Sequence, residues 1–165
     1  MSGEMKIVVM SDTHLGKVTD EFKTLCSKFC DGADMVIHLG DWVSDEVLNY
    51  MGRYPLEAVS GNMDDYSILK RLPPRKVVKT GPFHLGIIHG WGSPFGIRQR
   101  LSKEFTGVDA ILFGHTHQPL IIRENGVLWF NPGSLLRGRE PHLKTIGVLT
   151  IQDEIKADVL EIHGI

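Results

Sequence analysis

Three shortages in the 165-residue sequence each exclude a class of protein. Cysteine occurs only at Cys26 and Cys30, which is too few for a disulfide-stabilised secreted scaffold and lacks the second pair of a structural zinc site. No apolar run approaches the ~20 residues that cross a bilayer, and the start of the chain lacks a secretory-signal pattern. The 18 Lys and Arg residues against 20 Asp and Glu leave a net charge of −2 and no basic field. We therefore expect a cytoplasmic protein that binds neither nucleic acid nor membranes stably.

Strand-like and helix-like segments alternate through the first part of the chain. A β-branched run over 5–10 precedes apolar residues at helical spacing over 19–30, and the same order returns over 35–39, 45–51 and 56–59. Strands that alternate with helices predict a largely parallel sheet with crossover helices.

Beyond Leu72-Pro73-Pro74-Arg75, β-rich runs are joined by short turns. Gly81-Pro82 separates two such runs, which predicts a hairpin. We also expect a helix around 95–105 and strands near 110–113, 120–123, 127–130, 146–151 and 155–162. The whole predicts one α/β domain over residues 1–165, with two mixed sheets packed face to face between helices. The first half is expected to be parallel and the second half more antiparallel.

Polar side chains follow five of the predicted strands at the point where each strand ends. They are Asp12 and His14, Asp41, Asn62, His89, and His115 and His117. The intervals between successive clusters are 29, 21, 27 and 26 residues, each about one strand and crossover. The carboxyl ends of parallel strands meet at one sheet edge, so these side chains are expected to converge. In Asp12-x-His14 and His115-x-His117 the two donors are two residues apart. On extended backbone both side chains of a pair would point to the same side.

Two carboxylates, one amide and four imidazoles form a mixed oxygen and nitrogen donor set. Such a set suits Mn, Fe, Co, Ni or Zn, whereas Mg and Ca prefer oxygen alone. Seven donors exceed the needs of one catalytic zinc, and a bridging Asp41 would complete four positions on each of two ions. Two divalent ions and two aspartates leave a charge of about +2, which indicates an anionic phosphate substrate.

The ordered motifs resemble the calcineurin-like metallophosphoesterase superfamily. They are Asp12-x-His14, Gly40-Asp41, Gly61-Asn62-Met63-Asp64, His89-Gly90 and Gly114-His115-Thr116-His117. The small size, His38-Leu39-Gly40-Asp41 and Asn131-Pro132-Gly133-Ser134 are most similar to its YfcE-like phosphodiesterase branch. The resemblance covers roughly residues 6 to 151 and implies a four-layer α-β-β-α sandwich.

Carried over by position, the resemblance implies roles for each donor. Asp12, His14 and His117 would hold one metal ion, Asn62, His89 and His115 the other, and Asp41 would bridge them. It implies hydrolysis of a small or nucleotide-like phosphodiester by a metal-bound hydroxide that attacks phosphorus in line. Asp41 and Asn62 would serve catalysis, Asn62 also by touching the phosphate. We expect manganese first, with nickel, zinc, iron or cobalt as alternatives.

Two positions depart from the family pattern. Met63 stands where many members have a histidine that protonates the leaving oxygen, and a thioether cannot donate a proton. We therefore expect acidic leaving groups, or protonation by water or Asp64. Trp91 stands where relatives have another histidine, and it either stacks on a base or aryl group or only packs. His38 either hydrogen-bonds near Asp41 or is an ordinary core histidine.

Other functions stay open at this point. A phosphomonoesterase would use the same ions with a different pocket, and a non-catalytic interaction scaffold of the retromer-subunit type would share the fold. All seven donors are present, which favours an enzyme over a scaffold. The turn Asn131-Pro132-Gly133-Ser134 is expected to shape the rim of the site or to buttress His115 and His117. A homodimer or homotetramer is left open.

Overall fold

The computed structural model describes residues 3–136 and 143–163. Within these residues the chain forms strands, α-helices and one short 3-10 helix, and strands alternate with helices in the first part of the chain as the sequence predicts. The strands are β1 Met5–Met10, β2 Met35–His38, β3 Leu56–Ala58, β4 Arg75–Thr80, β5 Phe83–Ile88, β6 Ala110–Phe113, β7 Leu120–Glu124, β8 Val127–Asn131, β9 Thr145–Ile151 and β10 Ile155–Glu161. The α-helices are α1 Asp20–Phe29, α2 Asp45–Met51, α3 Tyr66–Arg71 and α4 Ile97–Leu101, and the 3-10 helix Ser102–Glu104 follows α4 directly.

The strands form two mixed sheets of five strands each. The first has the order β10-β9-β1-β2-β3, in which β1, β2 and β3 are parallel. The second has the order β4-β5-β6-β8-β7, in which β5, β6 and β8 are parallel. The predicted hairpin is confirmed, since β4 and β5 pair antiparallel across Gly81-Pro82. Parallel pairing extends further into the second half of the chain than the sequence indicates.

Strand β1 shows how the two sheets and the helices divide the core. Successive side chains on a strand point to opposite faces. Ile7 and Val9 lie in the apolar cluster between the sheets, which also contains Leu112 of β6. Val8 and Met10 face the other way, into the cluster beneath the helices. The continuous apolar run of β1 is therefore explained by burial on both faces.

Helices cover both outer faces. Phe22 and Leu25 of α1 and Val47 of α2 pack in the cluster on the outer face of the first sheet. Ile97 and Leu101 of α4 pack in the cluster on the outer face of the second. The layers are therefore helix, sheet, sheet, helix, which is the four-layer α/β sandwich that the sequence predicted.

Two helices differ from the sequence prediction. The helix expected around 95–105 is shorter, because Gly96 takes a left-handed φ of 73° before α4 and the 3-10 helix follows. Helix α3 was not predicted, since Ile68 is its only buried residue and so gives no apolar periodicity. Within the described ranges, no helix is both long and apolar enough to span a bilayer.

Candidate metal centre

The loops after β1, β2 and β6 hold several predicted ligands in an unusual backbone conformation. Positive φ values occur at Asp12 (56°), His14 (49°), Asp41 (59°), His115 (69°) and His117 (60°). The expectation of extended backbone at the two paired motifs is therefore wrong, although Asp12 and His14 still converge, with Oδ1 of Asp12 3.6 Å from Nε2 of His14. Left-handed non-glycine residues are costly and persist only where their surroundings hold them, which is typical of functional sites.

One oxygen of the Asp12 carboxylate is held by hydrogen bonds and the other faces imidazoles. Oδ2 accepts the Ser11 hydroxyl at 2.6 Å and the backbone N–H of His115 at 3.1 Å. Oδ1 lies 3.2 Å from Nε2 of His117, 3.6 Å from Nε2 of His14 and 3.7 Å from Nε2 of His89. Burial alone would raise the pKa of Asp12, but the neighbouring imidazoles outweigh it and hold that pKa well below its usual range.

The Asp41 carboxylate is divided in the same way. Oδ1 accepts the backbone N–H of Met63 at 2.8 Å. Oδ2 lies 3.2 Å from Nε2 of His89 and 3.6 Å from Nε2 of His14. Burial opposes ionisation of Asp41, but His89 brings its pKa below the usual range. A Cβ at Gly61 would collide with Asp41 Oδ1, which explains the glycine there.

His89 has its two ring nitrogens in different surroundings. Nδ1 lies 2.7 Å from the Leu39 carbonyl, which can only accept, so Nδ1 carries a proton. Among the residues that the structure describes, Nε2 of His89 is buried without a hydrogen-bond partner, as is Oδ1 of Asp12. Burial lowers the pKa of His89, but Asp41 and Asp12 raise it above its ordinary value. These unpaired polar atoms point to a cation among them.

Two groups of described residues have donor atoms close enough to hold a metal ion. Asp12, His14 and His117 form the first, and Asp12, Asp41 and His89 the second, with donor atoms within 4.8 Å of one another. Asp12 is common to both groups, whereas the family resemblance implies that Asp41 is the bridging ligand. Oδ2 of Asp41 nevertheless lies between His89 and His14, so its bridging role stays a prediction.

His115 and Asn62 lie beside these groups. Nε2 of His115 donates to the Gly92 carbonyl at 2.8 Å, which leaves Nδ1 as its nitrogen for a metal. The His115 ring packs edge-on to His89, with centroids 5.4 Å apart. Asn62 is exposed and lines the same cavity as His89. The roles of His115 and Asn62 as ligands stay predictions.

The turn after β8 supports both ligand loops. Asn131 donates its side-chain N–H groups to the Gly114 carbonyl at 3.1 Å and the Thr116 hydroxyl at 3.0 Å. Ser134 donates its hydroxyl to the Asp12 carbonyl at 2.8 Å. The expectation that this turn buttresses the histidine loop is confirmed, and its support of the Asp12 loop is an addition.

His38 joins the loops after β1 and β2. Its Nδ1 accepts the Gly40 N–H at 3.0 Å, so Nε2 carries the proton and donates to the Thr13 hydroxyl at 3.2 Å. The ring stacks on Trp42 with centroids 3.5 Å apart. Burial lowers the pKa of His38 to about 3, which keeps the ring neutral. His38 is thus a buried core histidine satisfied by hydrogen bonds to Gly40 and Thr13, the chain neighbours of Asp41 and Asp12.

Asp64 has a supporting role that the sequence did not indicate. Its Oδ2 accepts the backbone N–H groups of Gly61 at 2.6 Å and Asp41 at 3.2 Å, and its Oδ1 accepts that of Val43 at 2.8 Å. Both oxygens are thus engaged with the loops after β2 and β3. The spacing of 23 residues between Asp41 and Asp64 carries no local pattern from which this contact could be predicted.

Known proteins share this sequence pattern and this fold. A model of the calcineurin-like phosphoesterase superfamily domain matches residues 5–154. A probable metallophosphoesterase of Methanocaldococcus jannaschii is 32% identical over 167 residues, which cover 99% of this chain and 84% of that protein. YfcE, a phosphoesterase from E. coli, has a similar fold, with a TM-score of 0.67, 24% identity and 88% of each chain covered.

Wild-type Vps29 from Entamoeba histolytica, solved with zinc, also has this fold. Its TM-score is 0.70 at 20% identity, with 95% of this chain and 99% of that chain covered. The family model matches nearly the whole chain, and the Methanocaldococcus jannaschii relative is similar over 99% of it. The chain therefore belongs to the calcineurin-like phosphoesterase superfamily.

Proposed function

We propose that this protein is a metal-dependent phosphodiesterase that hydrolyses a small or nucleotide-like phosphodiester at a centre of two divalent metal ions. Manganese is the ion we expect first, with nickel, zinc, iron or cobalt as alternatives. The proposed ligands are Asp12, His14 and His117 for one ion, Asn62, His89 and His115 for the other, and Asp41 for both.

The arrangement of lone pairs around His89 carries the proposal. When His89 is neutral its proton lies on Nδ1, and Nε2 then presents a lone pair only 3.2 Å from Oδ2 of Asp41. Nε2 of His14 and Nε2 of His117 lie 3.3 Å apart, close enough to share one proton or to bind one ion. The His89 lone pair and the Asp41 carboxylate repel each other unless a proton or a cation lies between them. Divalent ions meet this need, and binding them displaces any proton held there.

The charges of the centre fit a phosphodiester. Divalent ions bound here would lower the pKa of a water molecule and neutralise phosphate oxygens. Asp12 and Asp41 together contribute two negative charges, which would leave about +2 for a nucleophile and a diester of one negative charge each. Asn62 would donate its amide N–H to a phosphate oxygen, since its side chain is exposed beside His89.

Met63 and Asp64 are the two residues that bear on protonation of the leaving group. Met63 has no transferable proton, and both oxygens of Asp64 accept backbone N–H groups. We therefore propose that water protonates the leaving oxygen. Substrates with acidic leaving groups would then react fastest, because their oxygen departs without a proton.

A second candidate is a non-catalytic scaffold, which the Vps29 fold similarity favours. The presence of all seven donors favours catalysis instead. The uncompensated atoms at the centre support metal binding, which either function could use. A phosphomonoesterase would use the same centre and differs only in the substrate preferred. Both alternatives are separable by one set of assays.

The decisive experiment combines metal analysis with two substrates. Purified protein is expected to bind two ions per chain and to hydrolyse bis(p-nitrophenyl) phosphate faster than p-nitrophenyl phosphate, with Mn, Ni, Zn and Mg compared. Asp41→Asn should lose most of this turnover, whereas Asp45→Asn, on the exposed start of α2, should not. Faster monoester turnover would support the phosphomonoesterase, and metal binding without any turnover would support the scaffold. Absence of bound metal would contradict the proposed centre.

We also propose a reducing, cytoplasmic compartment for the protein. Cys26 and Cys30 are both buried and unpaired. Their thiols lie one helical turn apart in and just after α1, where Cys26 contacts Met51 at 3.6 Å as part of the core. Reduced, packed thiols are typical of that compartment.

A further inference from the structure

A cavity opens beside the metal centre. It has a volume of about 390 Å³ and shares Asn62 and His89 with the predicted ligand set. A group bonded to a phosphorus atom held by these ligands would therefore extend into the cavity. Pockets of roughly 300–1,000 Å³ are the size that binds small organic ligands.

The walls of this cavity are mostly apolar. Leu69 of α3, Pro74 and Ile88 of β5 line it together with Trp91. Trp91 is 44% exposed, and it lines this cavity together with His89 of the centre. A flat ring of the substrate could stack on the exposed indole and be buried against its apolar neighbours.

The loop that carries Trp91 is held in place from two sides. Arg100 donates to the carbonyls of Trp91 at 2.8 Å and Phe95 at 3.0 Å, and also to that of Ser93. On the other side, His115 donates to the Gly92 carbonyl at 2.8 Å. Because the Trp91 loop is already ordered before binding, it loses little conformational entropy when a ligand binds.

The charged residues of the cavity neutralise each other. Arg75 forms an ion pair with Glu104, and both line the wall. The guanidinium therefore offers no unpaired positive charge for a second phosphate group. The cavity fits an uncharged group better than a phosphorylated one.

We propose that this cavity binds an uncharged aromatic ester group of the substrate, a nucleobase or an aryl ring, stacked on Trp91. The inference deepens the proposed function and depends on it, because the ring is placed by a phosphorus atom at the metal centre. Trp91 is then a residue that determines specificity, and its ring contributes to binding.

Binding without turnover tests the cavity directly. We would titrate zinc-loaded protein with phenylphosphonate or methylphosphonate and follow the three tryptophan indole N–H signals by NMR, with Trp91→Phe used for assignment. Phenylphosphonate should shift the Trp91 signal strongly and methylphosphonate hardly at all, while buried Trp42 and Trp129 change little. Equal shifts with the two phosphonates, or none with either, would overturn the inference. Adenosine 5′-monophosphate in the same titration distinguishes a nucleobase from a simple aryl ring as the bound group. Tighter binding than phenylphosphonate favours a nucleobase, and weaker binding favours an aryl ring.

Kinetics supply an independent arm. Trp91→Ala should raise KM for bis(p-nitrophenyl) phosphate about tenfold with little change in kcat, as expected for the loss of one stacking contact. Phe95→Ala is the matched control, since Phe95 is 92% exposed on the same loop and lines a different cavity. An unchanged KM in Trp91→Ala would contradict the inference while leaving diester hydrolysis intact. If no metal ion supports turnover, the proposed function fails and the NMR titration alone decides the cavity.

Discussion

The backbone N–H of Met63 donates a hydrogen bond to Oδ1 of Asp41 at 2.8 Å, while the Met63 side chain is 57% exposed. Position 63 thus orients the Asp41 carboxylate through its main chain. Any residue with a backbone N–H can make this bond, whatever its side chain. The departure from histidine at this position therefore leaves the geometry of Asp41 undisturbed.

We accordingly expect Met63→Ala to keep its turnover of bis(p-nitrophenyl) phosphate within about threefold, since the thioether neither holds Asp41 nor donates a proton. Met63→His should act differently and raise kcat for diesters of weakly acidic alcohols, because it supplies the missing acid. Steady-state kinetics with a series of leaving groups measures both. Loss of most turnover in Met63→Ala would show that the side chain has a direct role.

Asp64→Asn should destabilise the loops after β2 and β3. The amide replaces one carboxylate oxygen with an N–H donor, which then faces a backbone N–H of Gly61 and Asp41 or of Val43. We expect a loss of about 2–3 kcal/mol in the free energy of unfolding, and weaker metal binding. Urea unfolding and metal titration measure these. Asp65→Asn is the control, because the Asp65 side chain makes no capping bond at α3, and equal stability of the two variants would be inconsistent with this role.

Asn131→Asp should weaken the support of the histidine loop. A carboxylate in place of the amide would repel the Gly114 carbonyl that Asn131 now donates to at 3.1 Å. We expect about 2–3 kcal/mol of lost stability and reduced turnover, measured by thermal unfolding and diester hydrolysis. Asn125→Asp makes the same change in the β7–β8 turn, where an aspartate also tolerates the positive φ of 53°. If both variants behave alike, Asn131 is not the support described.

His38 should make the metal-free protein lose stability in acid. Burial lowers its pKa from 6.5 to about 3, so between these values the unfolded chain binds a proton that the folded chain does not. Stability conferred by neutral His38 is thus complete above pH 6.5 and falls as the pH drops, by up to about 1.4 kcal/mol per pH unit. His38→Gln should flatten this part of the stability curve relative to the parent in urea unfolding across pH. His163→Gln, at an exposed position, should leave the slope as it is. If the free energy of unfolding of the parent and of His38→Gln varied with pH in parallel, this role of His38 would be refuted.

Local periodicity accounts for the elements that the sequence predicts well. The β-branched run of β1 and the apolar spacing of α1 indicate their conformations directly, since each repeats with the period of its own structure. Asp12 and Asp41 could be identified as candidate ligands because they come shortly after the apolar strands β1 and β2. Helix α3 could not, because a single buried residue such as Ile68 creates no period.

The sequence by itself determined the alternation of strands and helices, the family, and the set of donors that follow the strands. Those features depend on residues near one another in the chain or on motifs in a fixed order. The tertiary structure alone decided that Asp64 holds the backbone of Asp41, that His38 bonds Thr13, and that Trp91 lines a cavity beside His89. Contacts of this kind join distant segments through hydrogen bonds and packing, and no local spacing encodes them.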